Sequence, residues 1–555
     1  MSDFSLRPEN RIGRVLPRAL AAAVLLAALF LASCVSGPDY KRPAMDAPAN
    51  YKSATEKETE EPGLGLDWWR LFNDAELNTL AEEALQSNQD LKAAMARVEQ
   101  ARASARSVKS SFYPAITMSP SATRSRTPVS TNSATKQDGF TQAASAINEV
   151  TSLLNEAQAL AGATTTTPKA GGTGQQGSGL TTTIPAVSLT NNRIQVPFDL
   201  SYEIDLWGRV RRSYEAAEAQ TMVSQYDLEV VRQTLLADLA QDYFNLRSLD
   251  ARNVILKRNI ELYRDQVDLT DKQFRSGLTN VTNVLQAKVQ LESTQAQAAD
   301  VQRQRTDLEH AIAILLGRAP AQFDLGVRPL DARPPEIPAG LPGDVLRRRP
   351  DVAEAEQNLA GACANIGVAQ ANFFPTVTLT GSAGFQSSGL TKLVSSQNLA
   401  WSMGPSINLP IFKGGQLRAE LQKAKARYDE LEATYRKTVL TAFGDVENSL
   451  TDLHLRADAS EAQGKAVADA REYLRFTQMQ YDTGTTDYLH VIDAEKTLLT
   501  NELSDADISG QRMVSTVLLI KALGGGWEPP AAPVPEAERA ENALPGTQTG
   551  MSGAH

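Results

Sequence analysis

Cysteine occurs twice and histidine four times in 555 residues, and aromatic residues make up only 6%. No His-x-x-x-His pair around a Glu, no Cys-x-x-Cys and no glycine-rich phosphate loop stands out, so the sequence indicates neither a metal centre nor a nucleotide site. Carboxylates are plentiful, but on long helices they form a solvated or lumen-lining face, and no catalytic constellation emerges. The chain is therefore read as no enzyme, with no catalytic and no metal residues. Its formal charge of −10 argues against nucleic acid as a partner. After residue 34 there is no run of about twenty apolar residues, which excludes a transmembrane helix there. Glycine and proline are both absent from Arg209 to Ser276.

The apolar run that does exist is N-terminal and short. Arg11, Arg14 and Arg18 precede Ala19–Leu31, which ends in Leu31-Ala32-Ser33-Cys34. Thirteen apolar residues behind a basic segment suit a signal peptide over residues 1–33. The ending resembles a bacterial lipobox, which implies that Cys34 becomes the lipidated first residue. The covalent lipid on Cys34 is then the only non-protein group expected, with no cofactor. By the same resemblance, Val35 in place of Asp implies sorting to the outer membrane. With Cys34 acylated no intramolecular disulfide can form, and Cys363, in an Ala-rich helical stretch, is read as a small packed residue.

The chain is also written twice. Gln273–Ala287 returns as Gln480–Ala494, an offset of 480 − 273 = 207, and Leu316-Gly317 returns as Leu523-Gly524. Phe112-Tyr113-Pro114 returns as Phe373-Phe374-Pro375, an offset of 373 − 112 = 261. The first copy thus carries about 54 extra residues between its anchors.

Two patterns alternate within each copy. Val196, Phe198, Leu200, Tyr202 and Ile204 alternate with Asp199, Ser201, Glu203 and Asp205; Trp401, Met403, Ile407, Leu409 and Ile411 alternate with Ser402, Gly404, Ser406 and Asn408. Shorter versions follow Pro114 and Pro375. Such strands can stand between lipid and a watery lumen, and they also suit a soluble sheet with one solvated face. Four strands cannot close a barrel, and lipid does not tolerate an open edge, so membrane strands would have to be pooled among several chains, three giving twelve. The second pattern is helical. Asp67–Gln100 begins one helix, which is expected to end before Pro114. From Arg209 to Ser276, Leu228, Val231, Leu235, Leu239, Tyr243, Leu246 and Leu249 step by three or four, a coiled-coil seam.

The expected organisation is a mainly α, internally duplicated chain with a small β part. Residues 34–66 form an N-terminal strap. Residues 67–330 form the first repeat, with strands near 115–123 and 194–206, a long loop over 124–192 and helices over 209–276 and 279–316. Residues 331–527 form the second, with strands near 376–385 and 399–412 and helices over 416–483 and 486–523. Residues 528–555, rich in Pro and Ala, are a disordered tail. Ile147, Val150, Leu154 and Ala157 hint at a short helix inside the long loop.

As a set, Cys34–Pro43, Trp68-Trp69, Ala96–Ala103, Tyr202–Arg209, Arg348–Val352 and Leu409–Phe412 resemble the TolC/OprM family of outer-membrane factors, and within it the NodT-type efflux lipoproteins. The resemblance implies a homotrimer with a twelve-stranded barrel in the outer membrane and an α-helical tunnel in the periplasm. It implies a periplasmic membrane-fusion adaptor and an inner-membrane RND-type pump as partners, and small molecules passed outward unchanged. A type I protein-secretion duct uses the same fold and is the alternative; a structural coiled-coil lipoprotein leaves the strands unexplained.

The resemblance also assigns residues. Arg275, Ser276, Gly277 and Leu278 in one helix turn, and Asp482, Thr483, Gly484 and Thr485 in the other, would dock the adaptor. Both glycines also have a plain conformational reason, since a sharp helix reversal favours positive φ. His490 and Asp493 fall where the family carries acidic gate rings. Asp493 fits that pattern, while His490 departs from it, as does Thr486, so the gate is expected to answer to pH in the His range or to be held differently. Both residues are equally readable as solvated tunnel positions.

Overall fold

The computed structural model describes residues 35–53, 64–128, 188–330, 333–338, 340 and 342–529. Cys34, the tail beyond 529 and the helix hint at Ile147–Ala157 lie outside them. Two units emerge: Met1–Phe112, Asp205–Thr376 and Asn408–His555 form a helical unit, and Tyr113–Ile204 with Val377–Ile407 a sheet unit.

The helical unit opens with a 3-10 turn, Trp68–Phe72, then α1 (Ala75–Ser87) and α2 (Gln89–Lys109). The single helix expected over 67–100 is thus three elements. Asp74 accepts from the amides of Glu76 and Leu77 at 3.0 and 3.2 Å and starts α1. Asn88 leaves the helix at ψ 135° and starts α2 by accepting from Leu91 N at 2.9 Å. Its amide also donates to the Leu315 carbonyl at 2.9 Å, tying the break to the end of another helix. The long helices follow: α3 (Arg209–Arg275) and α4 (Val281–Leu315), then α5 (Pro342–Arg348), α6 (Pro350–Ala371), α7 (Gln416–Asp482) and α8 (Tyr488–Ala522).

The long helices repeat at equal length. α3 and α7 each have 67 residues, about 100 Å at 1.5 Å per residue, and α4 and α8 each have 35. Their starts differ by 416 − 209 = 207 and 488 − 281 = 207, while α2 and α6 start 350 − 89 = 261 apart. Along α3 the seam residues Leu235, Leu239, Tyr243, Leu246 and Leu249 are buried, and Leu228 and Val231 pack against the same core. Full burial of each such side chain contributes about 1.5–3 kcal/mol. Phe72 from the 3-10 turn lies on Phe244 with ring centroids 4.8 Å apart.

A polar network interrupts this core. Asp250, fully buried, accepts from Arg247 and from Arg305 at 2.7 Å each. Arg247 reaches Glu76 at 2.6 Å, Arg305 reaches Glu309 at 3.1 Å, and Glu309 accepts from the Leu325 amide at 2.5 Å. Charges this deep are tolerated because each is paired and hydrogen-bonded. In the second repeat Arg349 bonds Asp351 at 2.7 Å, Asp445 of α7 at 3.0 Å and the Ala522 carbonyl at 3.2 Å, so it joins the start of α6 to α7 and to the end of α8.

The sheet unit contains β1 (Ala115–Met118), β2 (Ser121–Pro128), β3 (Ser188–Ile204), β4 (Thr376–Ser387) and β5 (Leu399–Asn408). Their order is β1-β3-β4-β5, with β2 also on β3. β1 and β2 share one register on β3: Met118 faces Phe198 and Ser121 faces Gln195. The strand expected near 115–123 is therefore one column in two pieces. Ser119 N donates to the Pro197 carbonyl at 3.3 Å, and Pro197, lacking an N–H, cannot return the bond. The columns also run further than expected. β2 and β3 pair out to Pro128 and Ser188, so the loop expected over 124–192 contracts to 129–187, outside the described residues. The last strand ends at Asn408 and not near 412, because Pro410 and the positive-φ Gly414 and Gly415 follow.

Candidate functional site

One face of the sheet carries Ile116, Met118, Phe198, Trp401, Met403 and Ile407, all exposed. The other carries Thr117, Asp199, Ser201, Thr378, Thr380 and Ser382 by register. Asp199 accepts from Ser119 at 2.9 Å across that polar face. β1/β2 and β5 are the two edges. Among the described residues, no helix is long and apolar enough to cross a membrane.

The strap behind Cys34 is seated on the helical unit. Ser36 N donates to the Trp207 carbonyl at 3.0 Å, and Arg212, 5% exposed, donates to the Ser36 carbonyl at 3.2 Å and to Asp39 at 2.7 Å. Gly37 crosses Gly367 of α6 so closely that a Cβ on Gly37 would stand 2.4 Å from the Gly367 Cα. Cys363 is buried under the same segment, its Sγ 3.5 Å from the Pro38 carbonyl, and burial pushes its thiol up. Sequence reading missed Arg212; the double Arg after Trp207-Gly208-Arg209 was the available signal.

The two helix turns have one geometry. Gly277 has φ 75° and Gly484 φ 74°. Leu278 N donates to the Gln273 carbonyl and Thr485 N to the Gln480 carbonyl, both at 2.9 Å; Gly277 N and Gly484 N reach Phe274 and Tyr481, both at 2.9 Å. This double bond is the Schellman closure, and no atom lies within 4 Å of a Cβ on either glycine, so backbone conformation alone calls for glycine. Ser276, Thr483 and Thr485 turn their hydroxyls back onto helix carbonyls at 2.9–3.0 Å. What projects from the first turn is Leu278, 79% exposed, and Arg275, paired with Asp271 at 2.8 Å. Asp482 in the second accepts from Gln478 at 3.2 Å.

His490 and Asp493 line one groove of about 650 Å³ between α4 and α8, with Thr282, Leu285 and Val289 on its far wall and Lys496 beside them. The groove thus brings the return helices of both repeats together. His490 Nδ1 lies 2.9 Å from Asp487 Oδ1, and the same oxygen accepts from Leu489 N at 3.1 Å to start α8. The His490 hydrogen bond holds the Asp487 carboxyl below the usual range. Asp487 had not been singled out; an Asp three residues before a His at a helix start is the pattern that marks it.

Comparison with known proteins follows the same lines. The family described as "Outer membrane efflux protein" matches residues 80–318 and 341–525. The pyoverdine export outer membrane protein OpmQ of Pseudomonas aeruginosa is 29% identical over 508 residues, covering 91% of this chain and 97% of that protein. The cation efflux system protein CusC of Escherichia coli O6:H1 is 27% identical over 506 residues, covering 90% and 97%. The solved outer-membrane channel OprN superposes with a TM-score of 0.74 at 30% identity, over 89% of this chain and all of that one. This chain belongs to the outer membrane efflux protein family, as an outer-membrane component of efflux and not an enzyme.

Proposed function

We propose that three copies of this chain form an outer-membrane channel that passively conducts small molecules out of the cell. The observation that carries this reading is the four-column sheet with one apolar face, one polar face and two open edges. An open edge in hydrocarbon leaves backbone groups unsatisfied at several kcal/mol each, and pooling with neighbours removes it. Three copies supply twelve columns, the polar faces lining the lumen. Cys34, acylated, anchors each copy to the periplasmic leaflet, and the seated strap supports that role by holding Val35 onwards against the start of α3.

The helical unit supplies the periplasmic conduit. Arg275 to Leu278 and Asp482 to Thr485 dock a periplasmic adaptor, which links the channel to an inner-membrane RND-type pump. Their exposed, conformationally fixed turns support this, since little of their side-chain surface serves the fold. His490 and Asp493 narrow the closed tip. The relatives are named for unlike cargoes, pyoverdine and cations, at nearly equal identity. Substrate choice therefore rests with pump and adaptor.

The test is a strain lacking this chain, challenged with dyes, detergents, antibiotics and metal ions while its secreted proteins are compared. Sensitisation with an unchanged secretome supports efflux. Loss of one secreted protein without sensitisation moves the assignment to type I secretion. Purified protein that is monomeric and soluble without detergent overturns the pooled barrel.

A further inference from the structure

Two buried oxygens at the seam between α3 and α8 have no hydrogen-bond partner, Tyr488 Oη and Glu495 Oε2, and the Tyr263 phenol, beside the Gln290 amide, is buried with them. Tyr263 is 1% exposed and Tyr488 7%. Both phenols lie within the electrostatic reach of the Glu495 carboxyl, and Tyr488 within that of Tyr263. The other carboxyl oxygen, Oε1, accepts from the Gln266 amide of α3 at 2.7 Å. A buried carboxylate is tolerated when a cation pairs with it.

No cation does so among the described residues. The groove that Glu495 borders, about 590 Å³, contains Arg258 of α3 and Arg471 and Arg475 of α7. Each is committed elsewhere. Arg258 and Arg471 both hold Glu502, one helical heptad along α8, the latter at 3.0 Å. Arg475 holds Glu472 at 2.7 Å and stacks on Phe476. From α7, Tyr481 packs on Tyr488 with ring centroids 5.5 Å apart and brings no charge. From α4, the Gln290 amide lies beside Tyr263 and is neutral. Lys496, the next residue on α8, lines the groove on the other side with His490 and Asp493. Glu495 thus shares its groove with three arginines that are paired with other carboxylates, and its own partner is the Gln266 amide.

We propose that Glu495 is a proton-binding site that fastens α8 to α3 when protonated and loosens this seam when ionised. The proposal rests on the channel reading for its consequence, but not for the site itself. A neutral carboxyl keeps the Gln266 bond through its carbonyl oxygen and turns its O–H toward the unpartnered Tyr488 oxygen. Ionisation places a negative charge beside arginines already paired with Glu502 and Glu472, and the structure answers by admitting water or parting the helices. Burial raises the Glu495 carboxyl above its ordinary value, with the Gln266 bond a smaller opposing effect. The sign follows. A raised carboxyl adds no penalty below its unfolded value, and the penalty grows as pH climbs through the raised one. The seam is tight in acid and loose in alkali, the opposite sense to a gate opened by His490 protonation.

Two measurements on the full-length purified protein test this. The first is the infrared difference spectrum on raising the pH. Wild type shows loss of protonated-carboxyl C=O intensity above the ordinary carboxylate range, and Glu495→Gln loses less of it, by one carboxyl, with the remainder belonging to other raised groups such as Glu354. If wild type and Glu495→Gln give the same spectrum, no proton site exists there. The second is single-channel conductance in planar bilayers across the same range. Wild-type open probability rises several-fold with pH, and Glu495→Gln, the isosteric neutral form, stays at the low-pH level throughout. A Glu495→Gln profile that still rises with pH like wild type overturns the coupling. A protein that never conducts counts against the channel reading, and the infrared band still decides the proton site.

Discussion

Pro197 of β3 and Gly384 of β4 face each other across the ladder, and a Cβ placed on Gly384 would stand 2.2 Å from the Val196 carbonyl oxygen. The central strand tolerates a proline because its neighbour has no side chain. Gly384→Ala is therefore expected to part β3 from β4. Overpacking of this kind costs typically 1–3 kcal/mol, and more where backbone is the obstacle. Light scattering of the detergent-purified variant should show loss of the proposed trimer; an unchanged mass with unchanged melting would mean the strands can slide to make room.

Asp250 answers to two arginines that share no other carboxylate. Asp250→Asn leaves Arg247 with Glu76 and Arg305 with Glu309, and removes the one carboxylate that pairs with both arginines in the buried core. Breaking a buried pair costs about 3–5 kcal/mol. Chemical denaturation should show a loss of that size, and a loss of under about 1 kcal/mol would mean water reaches the site.

The tip residues divide into those that shape the turn and those that are free to bind. Gly277→Ala forces a side chain into φ 75° and is expected to lose about 1–2 kcal/mol with no clash. Leu278→Asp touches almost nothing in the fold and Arg275→Gln gives up only an exposed ion pair with Asp271, so both should leave the melting temperature nearly unchanged while reducing adaptor cross-linking at least tenfold. Equal cross-linking in all three would move docking away from the first turn.

How much of this was legible in the sequence depends on the range of each interaction. The repeat, the seam from Leu235 to Leu249 and the glycines at 277 and 484 are local patterns, and helix periodicity or turn chemistry carries them. The helix reading across 67–100 went wrong because Asn88 looks like any polar helix residue until Leu315 is beside it. The first strand looked single because its break is dictated by Pro197, far along the chain. The clusters around Asp250, Arg212 and Glu495 join residues 55, 173 and 229 positions apart, and no periodicity in the sequence points across such spans.

Glu354 of α6 gives a pH prediction that does not involve the tip. Burial first, then Asp227 and Asp351, push its carboxyl from 4.5 to about 7. The arginines nearby face those neighbours instead: Arg97 holds Asp227 at 2.9 Å and Arg349 holds Asp351 at 2.7 Å. A raised carboxyl binds its proton more tightly when folded, so the fold is favoured below about 4.5 and pays an increasing penalty until the pH passes about 7. Glu354→Gln should melt with wild type at pH 4 and above it at pH 8, and the gap should open between these limits. Because the carboxyl keeps part of its solvent contact, the gain falls short of what the full shift would supply. Parallel melting curves across the whole range would mean that Glu354 is ionised and hydrated in the assembled protein.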